Sequence, residues 1–408
     1  MNGLFGGFLL LAIAVALGFT LAGDASVSNN VSRAMFDSAD LAVQVSLGLV
    51  GVLTLWSGFF RLAERSALTD RVARKLAPLL TRLMPELVRT PSAIAPVTMN
   101  LSANVLGLDN AATPLGLKAM EAMQAGNSAT PDRATDAQIM FLVMNTSSVT
   151  LLPVTVFMYR AQQGAANPAD IYAPMLIATT VSTFFGIWLT AKVQGISLRN
   201  PLILGVAGIW LTLLTALVVA VTMMSASNAA AFSSALGSGV LLAAVATFVI
   251  AGWRAGLDVY QTFIEGAQEG FNTAIRLIPY LVAMLVAIGM LRAAGVLDLL
   301  LDGVRVAVAY TGLDSRFVDA LPVALMKPLS GSGARAMMLE VMNTHGVDSL
   351  AGRMAAVMQG STETTLYVLA VYFGSAGITH IRHALWCGLA ADVAGLITAI
   401  LATYLFFG

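Results

Sequence analysis

The chain of 408 residues holds a single cysteine, Cys387, and three histidines, His345, His380 and His383. One thiol excludes a disulfide framework and a multi-thiolate metal centre, and three scattered imidazoles give no metal-ligand spacing. Charge is scarce too: 11% of residues are Asp, Glu, Lys or Arg, with a formal net charge of zero. No basic tract stands out, which argues against a nucleic-acid partner, because phosphate binding needs clustered Lys and Arg. A G-x-S-x-G elbow, an H-E-x-x-H pair and a phosphate-binding P-loop are all lacking, and the serines cluster with Thr and Glu rather than with a base. The sequence therefore predicts no enzyme and no cofactor.

What the chain has in excess is apolar surface, with 58% hydrophobic residues and a mean hydropathy of +0.81. Runs near 4–22, 41–61, 137–159, 170–191, 201–224, 233–252, 272–292, 351–373 and 384–407 each approach the roughly 20 residues that span hydrocarbon. A bilayer leaves no water for unpaired backbone groups, so such spans are helical. The expectation is an all-α polytopic membrane protein with nine crossings and the lipid bilayer as its solvent. No Lys or Arg precedes the opening run and it exceeds a signal-peptide core, so it reads as the first membrane helix.

Two further segments are apolar but interrupted. Residues 93–123 carry Asn100, Asn104, Asp109, Asn110 and Pro114, and residues 318–342 break at Lys327-Pro328 and at Ser330 to Gly333. Both read as helix, break, helix. Setting 137–159 against 351–373 aligns Ala137, Met140, Val143, Met144, Ser147, Thr150 and Val154 with Ala351, Met354, Val357, Met358, Ser361, Thr364 and Val368. The broken segments align as well, Thr113 on Ser332 and Glu121 on Glu340. The two halves are thus repeats, giving a first repeat over 1–195, a connector over 196–228 with its helix at 201–224, and a second repeat over 229–408. Arg61, Arg65, Arg71, Arg74, Lys75, Arg82 and Arg89 place the loop after the second crossing in the cytoplasm. Each repeat then has about four crossings and a re-entrant hairpin, and the connector inverts the second copy. Full crossing by the broken segments is the alternative, with eleven crossings and parallel repeats.

Inverted repeats with interrupted helices are the architecture in which secondary transporters build a midplane site. "NAATPLG" puts Thr113 where an N-cap belongs and Pro114 at the first helical position. In "SGSGAR", Ser330 and Ser332 can cap, while Gly331 and Gly333 allow close backbone approach. Lys327 and Arg335 flank that break and favour an anionic or strongly hydrogen-bonding ligand. Helix packing alone is the competing reading of these small and hydroxylated residues.

The most informative single residue is Glu363, within "MQGSTETT", 358–365, in the middle of an apolar run. An acid at mid-membrane costs roughly 2.5 to 3.5 kcal/mol even on lenient insertion scales. Its repeat mate is Val149, so architecture does not demand it. The candidate solute-binding set is Asn110, Thr113, Asn145, Ser147, Lys327, Ser330, Gly331, Ser332, Gly333, Ser361, Thr362 and Glu363. Glu363 and Asp392 are candidates for coupling to sodium or protons, and a buried ion pair of Glu363 with Lys327, Arg335 or Arg353 is the competing structural reading. Arg382 and His383 read as interfacial anchors.

The stretch "NVLGLDNAATPLGLKAMEAM" resembles the signature of the spore maturation protein A family. "LIPYLVAMLVAIGMLRAAGVLD", "KPLSGSGARAMM" and "MQGSTETTLYVLAVYFGSAGI" resemble spore maturation protein B. The likeness covers nearly all of 1–195 and 229–408, as a fusion of the two would. It implies a nucleoside-recognition gate domain, also found in concentrative nucleoside and ferrous iron transporters, and a membrane location; it supplies no substrate. The matching positions are Asn110 to Pro114, Ser330 to Gly333 and Gly360 to Thr364. The resulting expectation is a bacterial inner-membrane transporter. It moves a small polar or anionic solute by alternating access, with its site at the hairpin tips and Glu363. A phospholipid or lipid-carrier flippase and a non-transporting scaffold are the rivals. A homodimer scaffolded by 201–224 is compatible with the sequence.

Overall fold

Where an apolar run contains neither proline nor a polar cluster it forms one long helix; the runs that contain them are split, and the splits position the site. The computed structural model describes residues 2–107, 109–127 and 131–408, with the side chains of 2–4, 109–111, 226 and 277 outside that set. The first half comprises α1 (Asn2–Leu21), α2 (Ser26–Arg65), α3 (Leu68–Leu83), α4 (Pro91–Val105), α5 (Asp109–Ala125), α6 (Asp136–Thr146), α7 (Val154–Gln162) and α8 (Tyr172–Gln194). After α9 (Pro201–Thr222) come α10 (Ala226–Arg254), α11 (Val259–Ala293), α12 (Val296–Ala309), α13 (Leu321–Met326), α14 (Gly331–His345), α15 (Leu350–Gly360), α16 (Thr365–Ser375) and α17 (Ala384–Phe407). Short 3-10 turns at Pro85–Arg89 and Arg316–Ala320 occupy matching places in the two series. The order of elements thus recurs, α1 to α8 against α10 to α17, with α9 left over as the connector.

Six helices among the described residues, α2, α8, α9, α10, α11 and α17, are long and apolar enough to cross a membrane, and Phe5–Leu21 is a shorter apolar helix. In α9 the only buried positions are Ile203 and Val221, so its apolar surface is available to lipid. The protein is an all-α polytopic membrane protein. Two of the nine expected crossings are corrected. The run 137–159 is split into α6 and α7, and 351–373 into α15 and α16. Pro153 has no N–H for the carbonyl of Val149 and disfavours helix at Leu152. In the second run Gly360 is followed by hydroxylated residues whose side chains compete for backbone hydrogen bonds. The basic stretch after α2, read as a loop, contains α3, which buries Thr69, Ala73, Leu80 and Leu83 on one face and leaves Arg71, Arg74 and Lys75 exposed.

By contacts the chain forms two compact units, each assembled from three segments. Unit 1 holds 1–58, 155–168 and 264–359; unit 2 holds 59–154, 169–263 and 360–408. In unit 1, α7 from the first half joins α11 to α15 from the second. Arg160 of α7, with no exposed surface, donates to the carbonyls of Val347 (2.9 Å) and Asn167 (3.4 Å) and pairs with Asp348 at 3.0 Å. Arg292 and Glu340 pair at 2.6 Å in the same unit. In unit 2, α16 from the second half packs on α5 and α6 of the first, and α17 lies along α8. Leu101, Met120, Phe141, Leu142, Tyr372 and Phe373 lie in the core there.

The entry to α17 also lies in unit 2. Arg382, at φ 52°, pairs with Asp136 at 2.8 Å and donates to the Ala134 carbonyl at 3.0 Å. Half-buried His383 places Nε2 3.1 Å from Gln194 Nε2. Burial, with Arg382 beside it, pushes the imidazole below its ordinary range. The native state therefore binds fewer protons than the unfolded chain, and this contribution is complete above the ordinary imidazole pKa and lost as pH falls through it. Thermal unfolding in detergent should show stability falling between about pH 7.5 and about pH 5.5, with a shallower fall in His383→Gln. Equal slopes in the two proteins would remove His383 from the account.

Candidate functional site

Four breaks interrupt the apolar helices, at 106–107, 147–153, 327–330 and 361–364. Two of those in unit 2 meet directly. The Glu363 N–H donates to the Thr146 carbonyl at 2.7 Å, so the break after α15 caps the end of α6, whose last carbonyls have no helical partner. The Leu151 N–H donates to the Val105 carbonyl at 3.1 Å, tying the break after α6 to the tip between α4 and α5. Gly107 sits at that tip with φ 69°. Ser147 donates its hydroxyl to Val143 O at 2.7 Å, and its own carbonyl accepts from the Thr183 hydroxyl.

An amide and phenol network adjoins this crossing. Asn104 Nδ2 donates to Asn145 Oδ1 at 2.7 Å, and Asn145 Nδ2 donates to the Phe141 carbonyl at 2.8 Å. Asn100 Nδ2 donates to the Ala112 carbonyl at 2.7 Å and to Tyr372 Oη at 3.3 Å, while Tyr372 Oη is 3.4 Å from Asn145 Oδ1. The Tyr372 ring stacks on Phe141, with centroids 5.9 Å apart, and Tyr372 feels the charge of Glu363 electrostatically. Asn100 Oδ1 is buried with no hydrogen-bond partner among the described residues, an acceptor that a bound donor would satisfy.

Glu363 does not lie inside a continuous helix as its sequence context suggests. It occupies a break between buried Thr362 and Thr364 and is exposed. Among the described residues its carboxylate has no ion pair and no side-chain hydrogen bond.

The other expected positions divide between the units. Asn145, Ser147, Ser361, Thr362 and Glu363 fall in unit 2; Lys327, Ser330, Gly331, Ser332 and Gly333 fall in unit 1. Ser330 is the N-cap of α14, accepting from the Gly333 N–H at 2.9 Å, with Ser332 Oγ 3.3 Å away. Ser332 lies inside the helix rather than at its cap. Lys327 is buried at the end of α13, and Arg335 Nε donates to the Gly331 carbonyl at 3.2 Å. Thr113 is corrected: α5 starts at Asp109, so Thr113 and Pro114 are within it. The turn is made earlier, at Gly107, because glycine enters the left-handed region without a Cβ clash. The Asn110 side chain lies outside the described residues. Sequence reasoning passed over Tyr372, whose apolar neighbours gave no polar signal, and Arg160 with Asp348, which are 188 residues apart.

The fold and this site define a multi-pass helical membrane protein with paired broken helices. The Gate family, described as nucleoside recognition, matches residues 46–162 and 274–379, more than half of the chain. The chain belongs to this family. It is similar to spore maturation protein B of Bacillus subtilis (strain 168), 43% identical over 164 residues that make up 40% of this chain and 90% of that protein. It is also similar to spore maturation protein A of the same organism, 40% identical over 153 residues, 38% of this chain and 78% of that protein. The two resemblances fall on separate parts of the chain, as a fusion would have them. Family and fold together make it a transporter-like membrane protein.

Proposed function

We propose that the protein is a secondary transporter of the bacterial inner membrane that moves a small polar solute by alternating access between inverted repeats. The solute class is one rich in N–H and O–H donors, with nucleosides the first members to try. The observation that carries this reading is the crossing of the two breaks in unit 2: Glu363, tied by its N–H to the Thr146 carbonyl, presents an exposed carboxylate among the described residues. The Asn104, Asn145 and Tyr372 network adjoins it. A carboxylate and an orphaned amide oxygen accept hydrogen bonds and offer none, so they select donors. In transporters, discontinuous helices of this kind hold the substrate and change shape cheaply.

The test is thermal stability of the purified full-length protein in detergent against nucleosides, amino acids and organic anions, followed by uptake of any stabilising compound into proteoliposomes. A ligand that binds the native state raises the melting temperature by mass action. Glu363→Gln should weaken binding of a stabilising compound roughly 10- to 100-fold, the worth of a hydrogen bond to a charged group, and should slow uptake in proportion. Undiminished binding in that variant would sink the assignment of Glu363, and a stabilising compound that is not accumulated would sink transport.

A further inference from the structure

Behind the break that carries Glu363 lies a buried, oxygen-lined face of α17. Glu363 is exposed, whereas Thr362 and Thr364 on either side of it are buried. Gly388, Asp392 and Gly395 follow one another at four- and three-residue spacing, on one face of α17. Thr362 and Thr365 lie against that face. A methyl group on Gly395 would lie 2.8 Å from Cγ2 of Thr362, and one on Gly388 would lie 2.8 Å from Cγ2 and 3.7 Å from Oγ1 of Thr365. Asp392, 1% exposed, sits between the two glycines.

Further hydroxyl oxygens gather here. Thr146 Oγ1 is 3.7 Å from the Gly388 methyl position, and Ser182 Oγ, which donates to the Ala391 carbonyl at 2.9 Å, is 3.2 Å from the Gly395 position. Two of the oxygens have no protein partner among the described residues: Thr362 Oγ1 and Thr365 Oγ1 are buried without a hydrogen bond, on residues 4% and 0% exposed. A buried hydroxyl left unmade costs about 1 to 3 kcal/mol, which a ligand would relieve. No group of three or more His, Cys, Asp or Glu occurs among the described residues. One acidic residue with neutral hydroxyls offers hard oxygen donors and at most one negative charge, which suits a monovalent cation better than a divalent one.

We propose that Asp392, Thr362 and Thr365 form a dehydrated sodium site. It deepens the transport reading, on which it rests for its purpose, because Thr362 and Glu363 are neighbours in one break. Filling it orders the break from behind and fixes Glu363 on the solute side. Binding of the cation itself is measurable without any solute.

The experiment is a titration of full-length protein with NaCl against KCl and choline chloride at constant ionic strength, read as thermal stability. Sodium should raise the melting temperature saturably, and potassium and choline should not. Thr362→Val and Thr365→Val keep the packing and remove the orphaned oxygens. Each should fold at least as stably as wild type without sodium and bind sodium at least tenfold more weakly. Asp392→Asn should abolish the sodium shift; if it does not fold, the two valine variants decide. Absence of a sodium-specific shift in wild type, or an unchanged shift in both valine variants, overturns the site. A sodium shift with no stabilising solute leaves the site standing and defeats the transport reading; a stabilising solute with no sodium-specific shift does the reverse.

Discussion

Replacing Asp348 with alanine should destabilise the protein by about 1.5 to 3 kcal/mol, the worth of a hydrogen bond to a charged group. Arg160 has no exposed surface, whereas the Asp348 side chain is 32% exposed. Removing the acid takes one charged acceptor from a guanidinium that keeps its bonds to the Val347 and Asn167 carbonyls; removing the base leaves a carboxylate that still accepts from the Ala166 N–H at 2.9 Å and lies 3.6 Å from Arg353. Arg160→Met should cost more than Asp348→Ala, because it also gives up the bonds to the Val347 and Asn167 carbonyls. Thermal unfolding of both variants in detergent checks the order. A silent Asp348→Ala would mean that other acceptors hold Arg160 and that the pair adds nothing. The consequence reaches beyond stability, since this cluster fastens α7, from the first half, onto the loop ahead of α15 in the second.

Gly107→Ala should cost about 2 to 5 kcal/mol, combining a left-handed backbone at a residue with Cβ and the overpacking that follows. The new methyl would lie 2.3 Å from the Leu152 carbonyl oxygen, a backbone atom that has no rotamer to change. Relief requires the tip between α4 and α5 to withdraw from the break after α6. That strains the Leu151 to Val105 bond and the Asn104 to Asn145 bond, so solute binding should fall together with stability. Gly239→Ala is the control, because no atom lies within 4 Å of its methyl position in α10; it should gain about 0.5 to 1 kcal/mol. Equal behaviour of the two variants in thermal unfolding would show that the tip yields freely.

Much of the architecture was legible because its causes are local. Hydropathy over about 20 residues decides whether a helix can lie in a bilayer, and α8, α9, α10 and α17 stand close to where their apolar runs predict. The second break was visible as a Gly-Ser cluster, with Ser330 capping α14 as its spacing suggests, whereas the first falls at Gly107 and not at the expected Thr113 and Pro114. The splits inside 137–159 and 351–373 were harder to see. Hydropathy averages over a window and registers Pro153 or Gly360 as a small dip, while hydrogen-bond geometry registers it as the end of a helix.

By itself the sequence determined that the chain is a helical membrane protein, that its two halves repeat around α9, and that Glu363 needs an explanation. Burial, partners and sidedness belong to the tertiary structure. Only there does Glu363 prove exposed while its neighbours Thr362 and Thr364 are buried, and only there do Asn100, Asn145 and Tyr372 converge from α4, α6 and α16. The physical reason is range. Helix propensity and hydropathy act over a turn or a span of one chain, whereas a polar group in a membrane protein is satisfied by whichever distant residue packing brings within hydrogen-bond reach.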